Sequence, residues 1–307
     1  MSKKTSIGGQ ALIEGIMMKG PDKTCIAVRK PDGEIELEYM KEKHLKDKYA
    51  FFGLPVIRGV VAFIESMISG YKALMISAEK SGFDDEESKE DGNKLFGVLM
   101  VVASVLGVAI ALTLFMWAPA RIFDLLKYAV GEGIAPLRSL FEGTLKILIF
   151  VAYVYFVSKT KDIKRVFMYH GAEHKTIFCY ECGGDLTPEK AKNFKRFHPR
   201  CGTSFLILML LVSIIVNGII ANLFPAITLN RILWVAIKIL LVPLICGLGY
   251  ELIKICGKYD NLLTRIISAP GMWLQRLTTK EPDDDMLEVA IAALEAVIPE
   301  DSEKDNW

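Results

Sequence analysis

The stretch CGTSFLILMLLVSIIVNGIIANLFPAITLN, residues 201–230, decides the fold, because it runs its whole length without a charged residue and is dominated by Leu, Ile and Val. A helix that crosses a bilayer needs roughly 20 apolar residues, and this run exceeds that. Leu95 to Ala120 is a second uncharged run of spanning length. Two other segments are weaker. Ile147 to Ser158 is uncharged but short, and spans only if Lys146 and Leu140 to Leu145 are included; Ile232 to Tyr250 is long enough but carries Lys238. The 307 residues are 52% hydrophobic with mean hydropathy +0.33, which excludes a disordered chain and an ordinary soluble globule. The expected fold class is a mainly α-helical integral membrane protein with about four transmembrane helices.

Charge placement orients these spans. Lys and Arg number fifteen in residues 1–94, ten in 159–200 and six in 251–307, against three in 118–144 and one at Arg231. With four spans, every rich segment falls on one side, so both termini are expected in the cytoplasm. The polar first fifty residues contain no basic-then-apolar leader, and no signal peptide is expected. Pro55 to Lys80 is a rival fifth span. Its charges Arg58, Glu65, Lys72 and Glu79 recur every seven residues on one narrow stripe, which favours an amphipathic helix lying at the interface. Lys146 and Lys238 are the charges expected inside spans, and with no acidic residue mid-span an ion-transport role is disfavoured. Net charge is +1, so nothing points to nucleic acid; the expected partners are the lipid bilayer and other membrane proteins.

The polar segments complete the organisation. Thr24 to Arg29 and Glu34 to Tyr39 alternate around Pro31-Asp32-Gly33 and read as a small cytoplasmic β-hairpin. The glycine-rich lead-in before it, Gly8 to Gly20, reads as flexible backbone, with a loop packed on a site as the alternative, and it lacks the spacing of a phosphate loop. Residues 83–92 form an acidic linker. Near the end, Leu287, Ile291, Leu294 and Ile298 share one face of a short helix that docks on the protein itself. Six segments follow: 1–50 lead-in and hairpin, 51–92 interfacial helix and linker, 93–158 first two spans, 159–200 cytoplasmic loop, 201–250 last two spans, and 251–307 cytoplasmic helices and acidic tail.

The loop 159–200 and its exit carry the chemistry. His170, His174, His198, Cys179, Cys182 and Cys201 lie within 32 residues. In reducing cytosol, such thiols are metal ligands or reactive groups before they are disulfides. His170 and His174, four apart, project from one helix face and can share a metal. With Glu173 they make H-x-x-E-H, the inverted zinc-protease pattern, in which the carboxylate is a general base toward water. His198 or Cys201 is the third ligand. Cys179, Cys182, His198 and Cys201 also imitate a zinc knuckle, and Glu173 pairing with Lys175 or Arg165 is the plainer alternative to catalysis. Arg200 can orient an anionic substrate group, and Thr203 or Ser204 can cap the following helix.

These residues resemble a known family. Gly-Gly-Gln-Ala-Leu-Ile-Glu-Gly-Ile-Met-Met-Lys-Gly (8–20), His-Gly-Ala-Glu-His-Lys-Thr-Ile (170–177) and Phe-His-Pro-Arg-Cys-Gly-Thr-Ser-Phe (197–205) are similar to the signatures of the YqhQ-like bacterial membrane proteins, domain of unknown function 1385, described as predicted metal-dependent enzymes. The resemblance runs from about residue 5 to about 300. It implies His170, Glu173, His174, His198 and Cys201 as the polar centre, with Gln10 and Glu14 approaching it, and a multi-pass protein of the bacterial inner membrane. Cys182 departs from the family pattern, which weakens the zinc-knuckle reading. The expected function is a metal-dependent, hydrolase-like enzyme acting on a membrane-associated substrate: a divalent ion, zinc by default with iron and manganese as alternatives, at His170, His174 and His198 or Cys201, and Glu173 as base. The alternative is a non-enzymatic membrane adaptor or regulator in which the metal is structural.

Overall fold

The computed structural model describes residues 4–41, 45, 49–82 and 94–305; the acidic linker at 83–92 lies outside them. Its longer helices are α1 (Ile57–Lys80), α2 (Lys94–Leu112), α3 (Ala118–Val130), α4 (Arg138–Val157), α5 (Lys161–Glu181), α6 (Gly202–Leu223), α7 (Arg231–Leu240), α8 (Val242–Lys258), α9 (Leu262–Thr278) and α10 (Asp284–Glu295). A π-helical turn at Thr113–Trp117 joins α2 to α3. Pro243, in the first turn of α8, cannot donate to the preceding turn, and α7 ends where α8 begins.

Gly202–Leu223 of the uncharged run becomes α6, which packs against α4, α8 and α9 and forms the axis of the apolar part, and Pro225–Leu229 is a separate short helix. Five helical runs are long and apolar enough to cross a membrane: Ile57–Lys80, Val102–Val130, Glu132–Val157, Gly202–Leu223 and Ile232–Lys258. They mark a multi-pass membrane protein by length and composition, one run more than the four expected. The addition is α1. Its charges stand seven apart, so any run of 18 residues between them stays mostly apolar. A second correction concerns α4, where Glu142 is a buried carboxylate inside a spanning-length helix. It lies in Leu140 to Leu145, the stretch that the span needs to reach full length, so the expectation of no acidic residue mid-span does not hold.

The polar part is larger than one hairpin. β1 (Gly8–Leu12), β2 (Gly15–Lys19), β3 (Thr24–Arg29) and β4 (Ile35–Met40) form an antiparallel sheet in that order. The glycine-rich lead-in is therefore a paired hairpin, with Gly9 opposite Met18 and Leu12 opposite Gly15. Glycine serves close approach here: a Cβ on Gly15 would lie 2.6 Å from the Ala27 carbonyl oxygen. Alternation sends Ile16, Met18, Cys25 and Ala27 into a core with Tyr169, Ala172 and Ile177 of α5 and Met286, Leu287 and Leu294 of α10. Leu12, Met17, Ile26 and Val28 face the other way, against Ala73 of α1. The sheet is thus covered on both faces, by α5 and α10 on one and by α1 on the other. On the edge strand β4, Leu37 and Tyr39 are exposed, while Glu36 and Glu38 pair with Lys80 at the end of α1.

The two ends of the chain meet in this layer. The buried Asp305 accepts hydrogen bonds from the Thr5 hydroxyl, from the Ser6 backbone N–H at 2.9 Å and from the Tyr180 hydroxyl at 2.9 Å.

Candidate metal centre

Helix α5 runs from a solvated first half into a second half, Tyr169–Ile177, in which every residue is buried. The segment after α9 crosses it so closely that a Cβ on Gly171 would lie 2.0 Å from the Lys280 carbonyl oxygen, and Lys280 donates its backbone N–H to the Phe167 carbonyl at 2.8 Å. Glycine at 171 permits this crossing, which brings the Thr278 carbonyl 2.8 Å from His170 Nδ1.

One helical turn on, His174 Nδ1 lies 2.5 Å from the Arg196 carbonyl oxygen. Both imidazoles thus donate Nδ1–H to backbone and turn Nε2 to the interior, the arrangement that fixes metal-binding histidines by their outer hydrogen bonds. His170 Nε2 lies 3.1 Å from Cys201 Sγ. His174 Nε2 is buried without a hydrogen-bond partner. Among the described residues, His170, His174 and Cys201 bring one ligand atom each to within 4.8 Å of one another. Their relative exposures, 8%, 1% and 6%, mark a centre sealed from bulk water.

Cys201 is the N-cap of α6, its sulfur accepting from the Thr203 backbone N–H at 3.4 Å. Burial pushes its thiol up, but the neighbouring His170 and His174 overcome that and hold it well below the ordinary thiol value. The positive end of the α6 dipole acts in the same direction. Burial would lower the pKa of His170; the Cys201 thiolate, by charge and hydrogen bond, and Glu173 raise it to about 9. Glu173 is buried beside Gly9 of β1, and desolvation raises its pKa despite the opposing pull of His170, His174 and the Gly9 backbone.

His198 adjoins the centre without joining the three converging atoms. Its ring centroid is 5.5 Å from that of His174, and its Nε2 faces Arg200 at 3.3 Å and Glu181 at 3.9 Å. Burial, aided by His174 and Arg200, pushes its pKa down to about 4, so it is neutral near pH 7. Arg200 does not face an open surface: its buried guanidinium bonds the buried Glu181, which also accepts the Thr5 backbone N–H at 2.8 Å. Cys179 is buried and Cys182 exposed, and neither belongs to the His170–His174–Cys201 group. Lys175 and Arg165, the alternative partners of Glu173, bind Glu281 at 2.9 Å and Glu14 at 2.5 Å.

Of the N-terminal pair, Glu14 joins the β1–β2 turn to α5 through Arg165 and the Tyr169 hydroxyl at 3.1 Å, while Gln10 packs against Gly70 of α1. The strand residue that reaches the centre is Gly9. Sequence pattern misses Gln275 of α9 altogether. This fully buried amide accepts the His198 backbone N–H at 2.7 Å and donates to the His198 carbonyl at 2.7 Å and to Ser204 Oγ at 2.9 Å, so it holds the loop that delivers Cys201. A lone glutamine on an amphipathic helix carries no local signal of such a role.

The family described as "Protein of unknown function (DUF1385)" matches residues 54–300. A protein of Bacillus subtilis (strain 168), "Uncharacterized protein YqhQ", is 33% identical over 304 residues, covering 95% of this chain and 92% of that protein. No solved structure matches the chain.

Proposed function

The chain belongs to the DUF1385 family, whose function is not known, and from that premise we propose that it is a multi-pass protein of the bacterial inner membrane with a zinc-type metal centre at its cytoplasmic face. Four runs cross and α1 lies at the interface. Two observations support this count. The C-terminal half of α1 packs on the sheet, with Ser77 bonded to the Ile13 carbonyl and Lys80 to Glu36. The contact between Thr5 and Asp305 puts both chain ends in one layer, and an even number of crossings returns the chain there. The concentration of Lys and Arg in 1–94 and 159–200 makes that layer cytoplasmic.

The observation that carries the metal reading is the orphaned, buried Nε2 of His174, turned toward a group that also holds His170 Nε2 and the low-pKa thiol of Cys201. Such an atom costs about 1–3 kcal/mol unless something binds it, and two imidazoles with a thiolate suit zinc, with iron and manganese as lesser fits. Three protein ligands leave a position for a reactant, which favours a hydrolase-like enzyme. A divalent ion supplies Lewis-acid polarisation of a carbonyl or of water. Glu173, between the two histidines in sequence and buried beside them, takes and returns the proton. The Thr278 and Arg196 carbonyls orient the imidazoles, and the Glu181–Arg200 pair holds the His198 loop. The substrate is membrane-associated, because Cys201 stands where α6 begins.

A second reading, a membrane adaptor or regulator with a structural metal, draws on the burial of all three ligands and on the way they fasten α5 to the ends of α6 and α9. Cobalt substitution separates the two. Visible absorption that shifts on adding azide, in the native chain and in Glu173→Gln alike, fits a centre with an open position; a spectrum indifferent to azide would overturn the enzyme reading.

A further inference from the structure

A second polar centre lies at the other end of α6. Asn217 stands sixteen residues beyond Cys201, about 24 Å along the helix, and with Lys238 of α7 and Ser139, Glu142 and Lys146 of α4 it lines a gap of about 10 Å³. The charges there do not cancel. Glu142 is already engaged by two cations: it accepts from Lys238 Nζ at 2.5 Å and from Arg138 Nε at 2.8 Å. Arg138 also reaches Asp124 at 3.3 Å. Lys146, one turn further along α4 and only half-buried, has no hydrogen bond or ion pair among the described residues. Two further groups are unmatched: Ser139 Oγ and Asn217 Oδ1 are buried without partners, each residue 8% exposed.

We propose that this groove between α4, α6 and α7 binds the phosphate of a membrane lipid, with Lys146 as its counter-charge and Ser139 and the Asn217 amide as hydrogen-bond groups. The proposal rests on the reading that these helices cross the bilayer, and it is independent of the metal centre. A lysine left bare in hydrocarbon is costly, and a lipid phosphate is the anion present on the flank of a spanning bundle. That flank is apolar here, with Leu140 and Leu148 of α4 exposed on either side of Lys146 in sequence. The gap admits one oxygen atom rather than a whole phosphate. One phosphate oxygen enters between Ser139 and Asn217 while the remainder stays beside the half-buried Lys146. The Ser139 hydroxyl donates to it, and the asparagine amide can present its NH2 group in place of its carbonyl.

The test uses the full chain in mild detergent, with native mass spectrometry of retained lipid during titration with phosphatidylglycerol, with diacylglycerol of the same tails, or with inorganic phosphate. Phosphatidylglycerol is expected to stay bound and diacylglycerol not. Lys146→Met should weaken retention about tenfold, the loss of one charge-assisted contact, while Lys146→Arg keeps it and bound metal is unchanged in both. Equal retention of the two lipids, or retention indifferent to Lys146→Met in a protein that still melts cooperatively, would overturn the proposal. Displacement of the lipid by stoichiometric inorganic phosphate would overturn its lipid source.

Discussion

Replacing Gln275 with leucine removes a buried amide that makes three hydrogen bonds while keeping most of its volume. The His198 N–H and carbonyl and the Ser204 hydroxyl, bonded at 2.7, 2.7 and 2.9 Å, lose their partner in a place where water does not follow. Each orphaned buried group costs about 1–3 kcal/mol. Partial relaxation of the loop lowers the sum, and about 3 kcal/mol is the expected loss of stability. The same substitution frees the segment from His198 to Cys201, so the thiolate loses its fixed position beside His170. Outer-sphere changes of this kind weaken metal binding about 10–100-fold, or about 1.4–2.8 kcal/mol. Thermal unfolding in detergent reads the first effect and chelator competition reads the second. Gln275→Glu separates them, since it keeps the acceptor for the His198 N–H and loses donors to the other two groups. Unchanged melting and unchanged metal affinity in Gln275→Leu would refute the assignment of this residue as the anchor of the loop.

Other perturbations follow from the same packing. Gly171→Ala sets a Cβ 2.0 Å from the Lys280 carbonyl oxygen and should destabilise by about 1–3 kcal/mol, with weaker metal binding because the displaced segment carries the Thr278 carbonyl. Gly218→Ala, where the new Cβ meets Ser139 at 3.7 Å, should melt at or above the native temperature in the same assay. Burial raises the Glu14 carboxyl, but Arg165, Tyr169 and Arg29 outweigh it and leave its pKa lowered, so its contribution is present above its unfolded pKa of about 4.3 and is lost as pH falls through the folded value. Glu14→Gln should therefore melt lower than the native chain near neutrality, and the difference should shrink as the pH falls through the lowered carboxyl value.

The apolar part of the fold is legible because long uncharged runs have few alternatives, and α6 appears close to its expected limits. What escaped was set by contacts between distant segments. Gly8, Gly9 and Gly15 resemble flexible chain when read locally, yet they are strand residues; the missing side chain of Gly9 lets β1 lie against Met17 and Glu173, and that of Gly15 lets β2 lie against Ala27 of β3. Whether α1 crosses or lies flat depends on Ser69, Ala73 and Ser77 meeting a sheet formed forty or more residues earlier. Glu142 lies among the residues needed to complete its span, and the cation that compensates it there, Lys238, comes from another helix. In the candidate centre, the His170–His174 spacing is a local helical signal and was readable. The choice of Cys201 over His198 as the nearest third donor depends on Glu181 and Arg200 drawing His198 aside, and on Gln275 fixing the loop, none of which a single sequence exposes.

The central claim is that His170, His174 and Cys201 bind one metal ion. Elemental analysis of the detergent-purified chain, beside His170→Ala, His174→Ala, Cys201→Ala and His198→Ala, tests it most directly. The account predicts close to one zinc per native chain, lost in the first three variants and retained in the fourth. Absence of metal from the native chain after reconstitution with zinc, iron and manganese, or full retention of metal in the first three variants, would contradict it.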